Sequence, residues 1–87
     1  MSLRILYKPS FVKKYRKLPK ELQEEVKEKI ALFKEDPNHP FLKTHKLHGP
    51  MKGSWSFSVN YQYRVVFEYT SPECAEFLTI GDHDIYR

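Results

Sequence analysis

Much of this chain's capacity for chemistry is gathered in its last seven residues, Gly81-Asp82-His83-Asp84-Ile85-Tyr86-Arg87. An imidazole, a phenol and a guanidinium fall within five positions, and no apolar pattern there demands them. An imidazole has an ordinary pKa of about 6.5, so His83 is suited to take or give a proton near neutrality. Asp82 and Asp84 flank it, but on an extended segment they point away from His83, which argues against a metal cluster. Tyr86 is placed either to stack on a base or to cap the core. Arg87 adds a cation suited to an anion.

A second group lies upstream. Arg64 is the polar member of the otherwise apolar run Tyr63–Phe67. Its planar fork matches phosphate oxygens, and Glu68 is the alternative partner. His45, Lys46, His48 and Lys52 sit on a stretch where packing gives no reason for them. From Pro37 through Phe67 there is no carboxylate, whereas Lys43, Lys46, Lys52 and Arg64 all fall inside that span. A local excess of cations of this kind favours phosphates, hence nucleic acid. Zinc on His45, His48 and Cys74 matches no ligand spacing, so neither metal nor cofactor is expected.

The elements that must carry these groups follow from periodicity. Leu3-Arg4-Ile5-Leu6-Tyr7 predicts a first strand. Ser10 is placed to cap a helix that buries Phe11, Tyr15 and Leu18 and exposes Lys13, Lys14, Arg16 and Lys17. Pro19 suits the first turn of a second helix. Leu22, Val26, Ile30 and Phe33 form its buried stripe, and Glu25 and Lys29 form a favourable pair four apart. Asp36-Pro37-Asn38-His39-Pro40 ends it. Residues 41–54 read as a loop anchored by Leu42 and Leu47. Trp55, Phe57 and Val59 then alternate with Ser56 and Ser58. A turn near Asn60 leads to Tyr63, Val65, Phe67 and Tyr69, alternating with Gln62, Arg64 and Glu68. Residues 75–80 form the last strand, which delivers the tail.

The order β-α-α-β-β-β predicts an α+β domain spanning 1–87, with a helical hairpin on one face of an antiparallel sheet. The other face should stay open, carrying Ser56, Ser58, Arg64 and His83. With 87 residues, 40% hydrophobic and 15% aromatic, the chain suits a small compact domain. The net charge of +4 favours an anionic partner. One cysteine, no apolar run of membrane length and no signal-peptide pattern at Met1-Ser2-Leu3-Arg4 place it in the cytoplasm.

Four stretches in order resemble the RelE/ParE toxin superfamily of type II toxin–antitoxin modules, nearest to its YafQ, YoeB and RelE branch. They are His45-Lys46-Leu47-His48-Gly49, Lys52-Gly53-Ser54-Trp55, Gln62-Tyr63-Arg64-Val65-Val66-Phe67 and the terminal Gly81–Arg87. The resemblance implies a ribosome-dependent, metal-independent endoribonuclease (an mRNA interferase) that inhibits translation. In such chemistry the ribose 2′-hydroxyl attacks the adjacent phosphate, which needs a base, a cation and an acid. By the resemblance Arg64 steadies the phosphate and His83 is the near-terminal histidine. Tyr86 is similar to the family's terminal aromatic, and His45 to a histidine preceding Leu-x-Gly. Lys46, His48, Lys52 and Arg87 would hold RNA. Where RelE has two strand lysines, this chain has Ser56 and Ser58.

Implied partners are an acidic cognate antitoxin, forming a hetero-oligomer, and mRNA in the ribosomal decoding site. Two other readings share the fold: a ParE-like inhibitor of DNA gyrase, and a catalytically quiet homologue that only binds antitoxin. The histidines favour the ribonuclease, because a gyrase binder needs no general base.

Overall fold

The computed structural model describes residues 2–49 and 53–82. Strand β1 spans Arg4–Tyr7, helix α1 Pro9–Arg16 and helix α2 Lys20–Glu35. A 3₁₀ turn covers Pro40–Leu42, followed by β2 (His45–Lys46), β3 (Trp55–Ser58), β4 (Arg64–Ser71) and β5 (Cys74–Gly81). The sheet order is β1-β5-β4-β3-β2. Neighbouring pairs are antiparallel except β1 with β5, which run parallel. The α+β class holds.

Apolar periodicity explains the helices. Leu22, Val26 and Phe33 of α2 are buried, and Ile30 packs beside them. Phe33 joins α2 to the sheet, with ring centroids 4.8 Å from Phe57, 4.8 Å from Phe67 and 5.6 Å from Phe77. Removing such a ring costs about 3–5 kcal/mol, since transfer and cavity terms add. Phe11 of α1 reaches the same core through Phe77, at 5.4 Å.

Several local expectations need correction. Ser10 does not cap α1, because Pro9 already opens that helix. The Ser10 hydroxyl instead donates to the Leu78 carbonyl at 2.6 Å, tying α1 to β5. Pro19 precedes α2 rather than lying inside it. Glu25 accepts from Asn60 Nδ2 at 3.2 Å, and the ion pair found on α2 joins Lys27 and Glu24 at 3.8 Å. Residues 41–54 also contain β2 and most of the 3₁₀ turn. A two-residue strand has too few positions to show a period, and its pairing with β3 is fixed by distant chain.

The face away from the helices is not open. Ser56 is fully buried and Ser58 nearly so, at 0% and 7% exposure. β2 pairs outside β3 at Trp55 and Ser56, so β3 is an interior strand there rather than an edge. Val66 and Leu47 are also buried, yet neither belongs to the helix-side core.

Candidate active site

Strand register sets the geometry. His45 pairs with Ser56, Ser56 with Val66 and Val66 with Thr79, so these four form one row across the back face. The next row is Ser58, Arg64 and Gly81. A bulge at Leu78 brings Thr79 and Gly81 into these rows. The register steps from Phe67–Phe77 to Val66–Thr79, so Leu78 is the extra residue. Beyond it Ile80 returns to the core, while Thr79 and Gly81 face back. His45 and Arg64 therefore share a face, two strands and one row apart, or about 12 Å between Cα atoms at standard sheet spacings.

Each is held by its own loop. His45 is exposed, and its Nδ1 lies 3.0 Å from the Lys43 carbonyl oxygen. A carbonyl can only accept, so Nδ1 carries the hydrogen, and in the neutral ring the lone pair is on Nε2. That tautomer can act as a base. Arg64 donates from Nη1 to the carbonyls of Asn60 (2.8 Å), Tyr63 (3.1 Å) and Tyr61 (3.2 Å). Glu68 is not its partner. All three bonds use one nitrogen, so among the described residues Nε and Nη2 have no hydrogen-bond partner and could meet an incoming phosphate. One guanidinium can thus brace the turn and hold an anion.

Lys46 lies over the Trp55 ring, its Nζ 5.8 Å from the centroid. Register explains this, since Lys46 pairs with Trp55 on the helix-side face, opposite His45. His48 is exposed beyond β2. The structure thus brings His45 and Arg64 to one face and puts Lys46 on the other. His83, Tyr86, Arg87 and Lys52 lie outside the described residues. Among the described residues no group of three or more His, Cys, Asp or Glu is placed to hold a metal, and Cys74 is a buried strand-start residue. No described helix is long and apolar enough to cross a membrane.

Three features went unread in the sequence. His39 Nδ1 accepts from the Phe41 N–H at 3.1 Å and caps the 3₁₀ turn. Lys43 takes a left-handed backbone at φ 50°. Phe41 and Tyr61 are strongly exposed. Only Asn38-His39-Pro40 carried a turn signal for the first, and Tyr61's place outside the alternation hinted at the last.

No family model matches the chain, and no curated protein is similar to it in sequence. Solved structures are. A YoeB/ParE toxin from Agrobacterium tumefaciens superposes with a TM-score of 0.76 at 21% identity, over 93% of this chain and 99% of the other. The RelBE toxin–antitoxin complex from Mycobacterium tuberculosis gives 0.79 at 14% identity, over 95% and 100%. YafQ from E. coli gives 0.77 at 18% identity, over 95% and 96%. Two helices on a mostly antiparallel five-stranded sheet, matched along nearly the whole of each partner, give this chain the fold of the RelE/ParE toxins.

Proposed function

We propose that this chain is the toxin of a type II toxin–antitoxin pair and cuts mRNA in the ribosomal decoding site without a metal. The observation that carries the reading is a shared sheet face bearing His45, whose Nδ1 is turned to the Lys43 carbonyl, and Arg64, whose Nε and Nη2 have no partner among the described residues, inside a toxin fold. In the reaction a histidine takes the 2′-hydroxyl proton and the 2′-oxygen bonds to phosphorus. The bond from phosphorus to the 5′-oxygen breaks, and a second group protonates that oxygen. His45 and His83 are the candidates for base and acid, Arg64 neutralises the phosphorane, and Tyr86 stacks on a base or assists proton transfer. Lys46, His48, Lys52 and Arg87 would contribute RNA contacts.

Purified protein added to programmed ribosomes should generate new 3′ ends within coding sequence. Intact message after extended incubation would remove the enzymatic reading.

The partner we infer is an acidic antitoxin. Similar structures from Mycobacterium tuberculosis and Staphylococcus aureus are toxin–antitoxin complexes. The exposed face of Lys13, Lys14, Arg16 and Lys17 on α1 suits an acidic chain that orders on contact. Co-purification with the product of a neighbouring small reading frame tests this. A gyrase-inhibiting or antitoxin-binding role without catalysis draws support from the buried Ser56 and Ser58, which leave no strand lysines on the back face. Supercoiling assays with purified gyrase separate these readings.

A further inference from the structure

Apart from the back-face histidine, α2, the 3₁₀ turn and the turn joining β3 to β4 enclose a cleft of about 460 Å³. Its walls include Phe41, Tyr61, Lys29, Lys43, Arg64 and Glu25. Phe41 is 73% exposed and Tyr61 92% exposed, so neither ring contributes much to the core. The backbone that carries each is nonetheless held in place. Phe41 is fixed by its N–H bond to His39 and by the edge-on imidazole at 4.8 Å. Tyr61 projects from a turn in which Asn60 Oδ1 accepts from Gln62 N (2.9 Å) and Tyr63 N (2.8 Å). Lys43 sits between them in chain order with a left-handed backbone, a conformation L side chains rarely hold without a constraint.

We propose that this cleft binds one nucleotide of single-stranded RNA, its base against Tyr61 or Phe41 and its phosphate on Lys29 and Lys43. The proposal rests on the RNA reading above for the identity of its ligand and adds a contact remote from His45. Every base offers a π-face to an exposed ring, and cations alongside take the backbone charge. The cleft carries three cations against one carboxylate, and that carboxylate, Glu25, accepts from Asn60. Its volume falls in the range of small-ligand sites and suits a mononucleotide. An acidic peptide would satisfy the cations, but its carboxylates offer no flat face to two rings.

The test is fluorescence anisotropy with a labelled, fully 2′-O-methylated single-stranded hexanucleotide, which lacks the 2′-hydroxyl needed for cleavage. The full chain is compared with Phe41→Ala, Tyr61→Ala and Lys43→Gln at two salt concentrations. Each aromatic substitution should weaken binding by about tenfold with an unchanged salt slope. Lys43→Gln should weaken it and lower the slope by about 0.7. Melting curves should match wild type, because these side chains are exposed. Absence of binding by the unsubstituted protein, or wild-type affinity in both aromatic variants, overturns the proposal. So does unchanged RNA affinity with lost capture of a co-expressed partner protein, which would give the cleft to that protein. A chain that binds this uncleavable probe yet spares ribosomal mRNA fails only the catalytic reading. A chain that cuts mRNA but binds the probe equally well without either ring fails only this one.

Discussion

Arg64 and Asn60 lock the β3–β4 turn from opposite directions: the guanidinium donates to the Asn60 carbonyl at 2.8 Å, while the Asn60 side chain accepts two backbone N–H groups. The arginine proposed to hold phosphate is therefore also part of the turn that presents it. Arg64→Ala should cost about 1–2 kcal/mol, reduced from the usual value for a charged donor because the site is half-exposed. In a domain of this size that lowers Tm by roughly 5–15 °C. Arg64→Lys should recover part of the melting temperature while losing most mRNA cleavage, since an ammonium cannot form the planar fork. Equal recovery of stability and cleavage would show that the fork has no chemical role.

His45 is exposed, so His45→Gln should leave stability within about 0.5 kcal/mol of wild type. Loss of a general acid or base should slow single-turnover cleavage on ribosomes by about 10²–10⁴. His83→Gln should do the same if that residue supplies the other proton transfer. Wild-type rates in both variants would exclude imidazole catalysis.

Among the described residues Thr79 Oγ1 is buried without a hydrogen-bond partner. Such a hydroxyl costs about 1–3 kcal/mol, so the nearly isosteric Thr79→Val should raise stability by about 1 kcal/mol. Chemical denaturation measures this directly, and a loss of stability would mean that the hydroxyl is satisfied in solution.

Ser56 stands where the resemblance suggested a basic residue, but it is fully buried. Ser56→Lys should cost several kcal/mol by placing an unpaired charge in the sheet, and so abolish the cooperative melt rather than improve catalysis. A lysine variant that melts like wild type would contradict the packed back face.

Burial raises the phenol pKa of Tyr7, helped by nearby Tyr15, and burial likewise raises that of Tyr69. Each phenol ionises more readily in the unfolded chain, so their contribution is complete below the unfolded pKa of about 10 and is lost as pH rises through the folded value. Urea midpoints should fall on the alkaline side, and Tyr69→Phe should flatten that fall. A slope unaffected by the substitution would assign it elsewhere.

The buried stripe of α2, the alternation at Trp55, Phe57 and Val59, and the anchors Leu42 and Leu47 were legible because burial imprints a period or an isolated apolar residue on local sequence. Arg64 and His45 stood out as candidates because their residue types are poorly explained by packing. Their setting was not legible. No local pattern announced that the Arg64 guanidinium would turn to three carbonyls or that β3 would lie inside the sheet.

By itself the sequence determined the α+β class, the helical hairpin, the inward faces and the short set of groups able to move protons or hold phosphate. These depend on side-chain type and on spacings of two to four residues. Tertiary structure alone decided that β1 joins β5 in parallel, that β2 encloses Ser56, that the Leu78 bulge turns Thr79 and Gly81 backward, and that Phe41 and Tyr61 share a cleft with three cations. Those outcomes arise from pairing between segments far apart in the chain, where register reflects the packing of the whole sheet and leaves no local trace.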